Sequence, residues 1–120
     1  MKLGLLSKLI ILLVISISAY GNQIEKEYAL MKLLNKTTNK VMEKKIQINK
    51  TLTWETLIIE LFSCYSNPPN KIPEDYVLLD VYDKINKQKI NIYRGWMISS
   101  LPDVTSLEHP IYDLWLYDCI

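Results

Sequence analysis

Hydrophobic and polar residues alternate with a period of two through most of the second half of the chain. In the segment 56–66, Leu57, Ile59 and Leu61 fall on one face of an extended strand. The same alternation recurs in three later segments, namely 76–83, 89–98 and 111–120. β-branched and aromatic residues dominate these segments, which is typical of strands with one buried face.

The connections between these segments also favour a sheet protein. Asn39, in the sequence NKTTNK, suits the positive φ of a tight hairpin, and the INKT and DKINKQ sequences predict two further turns. The loop SNPPNKIPED carries three prolines, which a central strand does not tolerate. The spacing predicts an all-β fold, a small antiparallel sandwich or barrel of about six or seven strands. An alternative for residues 22–34 is a short helix, since Ile24, Tyr28 and Met31 also fit helical spacing.

The N-terminus has the pattern of a secretory signal peptide. Lys2 and Lys8 precede or flank an apolar run over residues 9–17, and small residues follow it. We predict a signal peptide over residues 1–21, cleaved after Ala19 or Gly21, and a single β-rich domain over residues 22–120. This predicts export to the periplasm by the general secretory route. The alternative is an uncleaved N-terminus that anchors the protein in the inner membrane, the only membrane association that the sequence suggests.

The charge balance gives no indication of a polyanionic partner. The chain carries 14 Lys and Arg against 13 Asp and Glu. A nucleic-acid-binding domain would show a basic excess. We therefore expect no nucleic-acid partner.

The two cysteines predict a disulfide bond. Cys64 and Cys119 are the only cysteines, and export places them in an oxidising compartment. A crosslink closing a loop of this length stabilises the fold by about 4 kcal/mol on the chain-entropy model. Strict alternation predicts that both cysteines lie on the face opposite the aliphatic rows of their strands, in the company of Phe62, Trp115 and Tyr117.

The second half of the chain resembles a known bacterial family, the domain of unknown function 2155 family. The resemblance rests on a Cys followed by a Pro-rich loop, then Gly-Trp-Met, Leu-Glu-His-Pro and Tyr-Asp-x-Trp blocks before the last Cys; the matching residues are Gly95, Trp96, Met97, Leu107, Glu108, His109, Pro110, Tyr112, Asp113, Trp115, Asp118 and Cys119. The resemblance extends upstream to about Leu30. In the hairpin of residues 34–41, Asn35 and Asn39 replace the Asp and Gly of the family. The resemblance implies a small exported protein, mostly found in alphaproteobacteria, with no established activity, cofactor or ligand.

His109 is the one residue that invites a catalytic interpretation. Imidazole titrates near neutrality, and Glu108 and Asp113 could orient it or join it on a metal. A zinc site, however, needs three or four converging ligands, and these groups are adjacent rather than clearly convergent. We expect His109 to stabilise the loop before the last strand through hydrogen bonds, and we expect neither a cofactor nor a bound metal.

Four further residues are candidates for ligand binding: Trp96, Tyr112, Trp115 and Arg94. The aromatic side chains could stack on a glycan or a peptide, although burial in the core is the expected position of both tryptophans. Arg94, the only arginine, is expected to pair with Asp80, Asp113 or Asp118 rather than with a ligand.

Together these patterns predict an exported periplasmic protein that binds or supports an envelope component without catalysis. The expected partner is an envelope protein or a cell-wall component. The alternative is a small periplasmic enzyme or metal-binding protein that uses His109 with Glu108 and Asp113.

Overall fold

The computed structural model describes Gly4, residues 6–8 and residues 22–120. The predicted cleavage points after Ala19 and Gly21 lie outside the described residues. From residue 22 onward the chain forms nine strands and one short helix: β1 (Ile24–Lys26), β2 (Tyr28–Asn35), β3 (Lys40–Gln47), β4 (Thr51–Trp54), β5 (Leu57–Ser66), β6 (Asp75–Ile85), β7 (Gln88–Ile98), α1 (Pro102–Thr105), β8 (Leu107–Glu108) and β9 (Tyr112–Cys119).

The strands form two antiparallel sheets that enclose one core. In sheet A, β1 and β4 pair with different parts of β5, and the order continues through β6 to β7. In sheet B the order is β3-β2-β9-β8. Residues from both sheets belong to one buried cluster, so the fold is a sandwich with the core between the sheets. The all-β prediction is confirmed, with two very short strands, β1 and β8, added to seven longer ones.

The chain passes between the sheets at one corner of the sandwich. It leaves sheet A after β1 and enters sheet B at β2, then returns to sheet A between β3 and β4. The two crossings are bonded to each other, because the Ile48 N–H donates to the Glu27 carbonyl at 2.9 Å. Residues 24–26 and 28–35 form strands, with a bend at Glu27 between them. The alternative helix for residues 22–34 is wrong, because alternate residues of β2 face the core.

The turns have the conformations that their residues favour. Asn39 has a φ of 59° in the β2–β3 hairpin, and Asn49 has a φ of 62° between β3 and β4. The β6–β7 hairpin has a two-residue loop, Asn86 and Lys87, in which both φ angles are positive. This is the loop geometry whose twist matches that of paired strands. Asparagine tolerates such angles better than most residues, which explains its use at three of these positions.

The core confirms the aliphatic rows predicted for β5, β6 and β9. The row predicted for residues 89–98, Ile90, Ile92, Trp96 and Ile98, is wrong, because Ile90 and Trp96 are exposed and Met97 is buried instead. The fully buried positions include alternate residues of β2, β5, β6 and β9, namely Ala29, Met31, Leu33, Leu57, Ile59, Leu61, Val77, Leu79, Val81, Leu114 and Leu116. Burial of one such side chain stabilises a fold by about 1.5–3 kcal/mol. The apolar seam between the sheets is therefore the main source of stability.

The predicted Cys64–Cys119 disulfide is present, but the face predicted for its cysteines is wrong. The two Cα atoms are 5.8 Å apart, and both residues lie in the core with the aliphatic rows. Phe62 and Tyr117, expected beside them, are instead 45% and 53% exposed.

Two β-bulges cause this difference. On β5 the pairing skips Phe62, because Leu61 opposes Leu79 and Ser63 opposes Leu78. On β9 it skips Tyr117 in the same way. One extra residue inverts the alternation beyond it, so each bulge turns the following cysteine from the outer face to the core.

We expect the disulfide to contribute about 4 kcal/mol to the free energy of unfolding, since it closes a sequence separation of 55 residues inside the core. Denaturant unfolding of the oxidised protein, with and without a reductant, measures this difference. The double variant Cys64→Ala/Cys119→Ala is the control and should not respond to the reductant. An oxidised protein whose unfolding midpoint is unchanged by reduction would contradict the assignment.

Candidate functional site

His109 lies in the tight connection between β8 and β9. Its backbone N–H donates to the Tyr112 carbonyl at 2.9 Å, which closes the turn between the two strands. The ring centroids of His109 and Tyr112 are 5.3 Å apart. The side chain of His109 is only 11% exposed, so the imidazole is part of the packed interior at this end of the sandwich.

Both ring nitrogens of His109 have partners. Nε2 is 2.5 Å from Oδ2 of Asp83, on β6 of the other sheet, and the Asp83 side chain is 6% exposed. Nδ1 accepts the backbone N–H of Ile111 at 3.0 Å and, more weakly, that of Tyr112 at 3.4 Å. An acceptor nitrogen carries no proton, so the geometry assigns the ring proton to Nε2, which donates it to Asp83.

This arrangement leaves the imidazole no free lone pair. A general base or a metal ligand needs an unprotonated nitrogen directed at the substrate or the metal. The only such nitrogen, Nδ1, is already used by the turn. The expectation that His109 stabilises the loop through hydrogen bonds therefore agrees with its geometry.

Glu108 and Asp113 are not hydrogen-bonded to the ring of His109. They face each other as Cα partners in the β8–β9 ladder. Lys36 Nζ lies 3.0 Å from Asp113 Oδ1 and also donates to the His109 carbonyl at 2.9 Å. The lysine thus fastens the β2–β3 hairpin to the turn, and the two carboxylates of the predicted site belong to a different surface from the imidazole.

Asp83, the true partner of His109, was not predicted from the sequence. A signal for it exists, because Asp83 continues the row of Val77, Leu79 and Val81 at the same two-residue spacing. An acidic residue in a core-facing position needs a buried donor. Within residues 22–120, the structure finds no group of three or more His, Cys, Asp or Glu side chains that could hold a metal ion.

The four predicted binding residues lie in three different parts of the fold. Trp96 and Arg94 belong to the outer face of sheet A, Trp115 to the outer face of sheet B, and Tyr112 to the core. Burial of Trp96 was the expectation and is wrong, because it is 45% exposed. It follows Gly95, whose φ is 143°, and lies next to the buried Met97. Alternation thus directs Met97 inward and Trp96 outward.

Trp96 forms one wall of a shallow cleft of about 330 Å³ that also involves Tyr76, Ile98 and Gln23. The Tyr65 ring is tilted against it, with centroids 6.2 Å apart. The hydroxyl of Tyr93 donates to the Trp96 carbonyl at 2.7 Å. That bond occupies one backbone acceptor of β7, the last strand of sheet A.

Arg94 pairs with Asp80, one of the three partners expected for it. Its Nε and Nη2 donate to the two oxygens of Asp80 at 3.0 and 3.1 Å. These hydrogen bonds and the charge of Asp80 raise the pKa of Arg94. The two-pronged contact uses the planar fork of the guanidinium within the protein itself.

Tyr112 is buried in the core and is therefore not available to a ligand at the surface. Burial raises the pKa of Tyr112, and the negative charges of Glu55 and Asp83 add to the effect. Trp115 is half-buried on the outer face of sheet B, between the inward-facing Leu114 and Leu116, so its expected place in the core is also wrong.

Two neighbouring carboxylates near the disulfide, Glu74 and Asp75, have pKa values shifted in opposite directions. Burial raises the pKa of Asp75, and the nearby Asp118 raises it further, although the Ser66 hydroxyl donates to Asp75. Burial opposes ionisation of Glu74 as well, but hydrogen bonds from Ser100 and Ser99 lower its pKa overall. The Ser100 N–H donates to Glu74 Oε1 at 2.9 Å.

A family model described as "Uncharacterized protein conserved in bacteria (DUF2155)" matches residues 29–119. The chain belongs to this family. The protein RP359 of Rickettsia prowazekii (strain Madrid E), which is also uncharacterised, is 29% identical over 87 residues, and these cover 72% of the present chain and 56% of RP359. The chain thus spans little more than half the length of this relative. No solved structure matches the present chain.

The structure explains several residues of the DUF2155 resemblance in physical terms. Leu107 is a buried residue of β8, His109 closes the β8–β9 turn, and Cys119 forms the disulfide. Gly95 has a φ in the range that favours glycine. Among the described residues of this DUF2155 protein, no helix is long and apolar enough to cross a membrane.

Truncation of His109 should strongly destabilise the fold. His109→Ala leaves the buried Asp83 carboxylate without its imidazole donor, and a buried acceptor left unsatisfied costs about 1–3 kcal/mol, more when it is charged. His109→Gln is the matched control, since its amide can still donate to Asp83, and it should lose less. Denaturant unfolding at neutral pH measures both. Equal, small losses in the two variants would show that the bond to Asp83 is dispensable.

The pair Asp75 and Glu74 should respond to pH with opposite signs. A raised pKa in the folded state means that the stability from Asp75 is present below its unfolded pKa and lost as the pH rises. Asp75→Asn should therefore raise the unfolding midpoint at pH 7 relative to wild type, and this gain should vanish near pH 3.

Glu74 is the matched control, because its lowered pKa gives stability that is lost as the pH falls. Glu74→Gln should therefore lower the midpoint at pH 7. Unfolding curves between pH 3 and pH 7 compare the two variants. Shifts of the same sign at pH 7 would refute the opposing environments.

Proposed function

We propose that this DUF2155 protein is an exported, non-catalytic binding module of the bacterial cell envelope. The observation that carries the proposal is the occupation of both ring nitrogens of His109, by Asp83 and by the backbone of the β8–β9 turn. With both ring nitrogens bonded within the protein, His109 is not free to act as the general base of a serine–histidine or cysteine–histidine pair.

Thiol chemistry is also closed to the protein in its oxidised form. Both cysteines of the sequence are joined in the disulfide, and both are buried. A nucleophilic cysteine must be a thiolate that is accessible to its substrate. The bond therefore serves the fold.

Export is supported by two independent features. The N-terminal sequence has a positive region, an apolar run and small residues in the order of a signal peptide. A buried structural disulfide fits a protein that folds in an oxidising compartment such as the periplasm. Each feature alone is a weak indication, but both point to the same compartment.

A binding role is supported by the aromatic side chains that the fold leaves outside its core. Trp96 and Phe62 are each 45% exposed on sheet A, and Tyr117 is 53% exposed on sheet B. Large aromatic side chains are enriched at the centres of protein interfaces, where their area is buried on binding. An envelope protein or a cell-wall component is the partner that the predicted compartment offers.

The experiment combines localisation with a test of His109 in the native bacterium. Tagged wild-type protein is expected in the periplasmic fraction, with its cysteines protected from alkylation until it is reduced. Photo-crosslinkers placed at Trp96 and at Trp115 should give a discrete adduct from at least one position, and the folded His109→Gln variant should keep that adduct. Buried Leu79 is the negative position.

Two outcomes would overturn the proposal. Cytoplasmic protein with free thiols would remove the export half. A folded His109→Gln variant that loses a cellular phenotype shown by deletion, while retaining every adduct, would favour the enzyme that uses His109.

A further inference from the structure

A second cleft, of about 400 Å³, lies on the outer face of sheet B beside helix α1. Trp115 of β9 and Leu34 of β2 contribute its apolar surface, and Pro102 at the start of α1 closes it from the loop side. Ligand sites in proteins commonly enclose about 300–1,000 Å³. The cleft is therefore large enough for one small organic group.

Three carboxylates surround this apolar surface. Asp103 is in α1, Glu108 is in β8 and Asp113 is in β9, and all three line the cleft. Lys36 is the one cation within ion-pair distance of any of them in the described part of the chain, and it contacts Asp113. The cleft thus carries an excess of negative charge.

The position of Glu108 and Asp113 is unfavourable for the fold alone. They are directly opposite each other in the β8–β9 ladder, and like charges in that arrangement destabilise a sheet. Asp113 Oδ1 is buried and accepts no hydrogen bond of standard geometry, although Lys36 Nζ lies 3.0 Å away as an ion-pair partner. Lys36 thus neutralises Asp113, whereas Glu108 has no cation within ion-pair distance among the described residues.

The aromatic residues on this face of sheet B give a third, independent observation. Lys32 Nζ lies 3.8 Å from the centroid of the Tyr117 ring, and Lys45 Nζ lies 4.2 Å from that of Tyr28. Both tyrosines of this face are thus covered by a cation of the protein. Trp115, the better cation–π acceptor, is covered by no lysine or arginine of residues 22–120.

We propose that this cleft binds an organic cation, an ammonium or guanidinium group on an aliphatic stem. The charged group lies against the Trp115 ring and forms ion pairs with Glu108 and Asp113. The aliphatic stem contacts Leu34 and Pro102. The cation is either a free amine or the side chain of a lysine or arginine in a peptide. This inference rests on the proposed binding function and names its ligand chemistry.

The experiment titrates the purified, oxidised, ¹⁵N-labelled full chain with lysine-derived probes and follows the indole N–H signals by NMR. The probes are the small amine n-butylammonium, N-acetyl-lysine methylamide, and a Gly-Lys-Gly peptide blocked at both ends. The Nε-acetylated form of each lysine probe is the neutral control. We expect saturable shifts of the Trp115 signal with charged probes, at least tenfold weaker binding of the neutral forms, and weakening by salt. Tighter binding of the peptide than of the amine identifies a polypeptide source, and the reverse identifies a free amine.

Two variants separate binding from folding. Glu108→Gln removes a ligand for the cation and also relieves the repulsion with Asp113, so it should weaken binding at least fivefold while raising the unfolding midpoint. Trp115→Leu should abolish binding, which is followed through the backbone amide signals of β9 because this variant lacks the indole reporter. Trp96→Leu, on the other sheet, should leave binding unchanged. If Glu108 had only a structural role, Glu108→Gln would change stability without weakening binding of the probes.

The inference is overturned if charged and acetylated probes bind equally, if no probe saturates, or if Glu108→Gln binds as wild type does. Its failure is distinct from failure of the proposed function. If the probes fail these tests while a crosslinker at Trp96 still gives the envelope adduct in cells, the binding module stands and only the cation site is removed.

Discussion

The structure depends on one constraint, that two small sheets remain face to face over a core to which both contribute side chains. The Cys64–Cys119 bond meets this constraint at one end of the sandwich, where β5 of sheet A approaches β9 of sheet B. The Asp83–His109 hydrogen bond meets it at the other end, between β6 and the turn that leads into β9. A small domain is only marginally stable, with about 5–15 kcal/mol in total, so a link at each end adds a useful share of its free energy of unfolding.

This arrangement also explains why the chemically most reactive residues are not available for chemistry. The histidine and both cysteines form the two links between the sheets, and the only arginine is paired with Asp80 on the outer face of sheet A. The side chains that the fold leaves exposed are instead aromatic and acidic. Sheet A presents Trp96 with Tyr65 and Phe62, and sheet B presents Trp115 among carboxylates. The two outer faces are thus chemically distinct, and a partner could use either one alone.

Helix α1 and its flanking loop decide the shape of both outer regions. The Thr105 hydroxyl accepts the Ile98 N–H at 2.9 Å, which fixes the loop to the end of β7. The Tyr93 hydroxyl binds the carbonyls of Trp96 and Thr105. These bonds occupy outward-facing backbone groups of β7, which reduces its capacity to pair with another strand. The same loop carries Pro102 and Asp103 to the cleft that contains Trp115.

The sequence by itself determined the all-β class, the aliphatic rows of β5, β6 and β9 and the turns at Asn39, Asn49 and Asn86, because alternation and turn chemistry are local properties of the chain. The two cysteines gave the disulfide pair, and the motifs of the second half gave the family. The sequence could not place the cysteines on the correct face, since a bulge at Phe62 or Tyr117 depends on how the neighbouring strand pairs. It could not join His109 to Asp83, or Glu108 to Asp113 and Trp115 in one cleft, because strand order brings distant residues together. Trp96 shows the same limit, since its exposure follows from the register of β7 against β6, and register is set by the whole sheet.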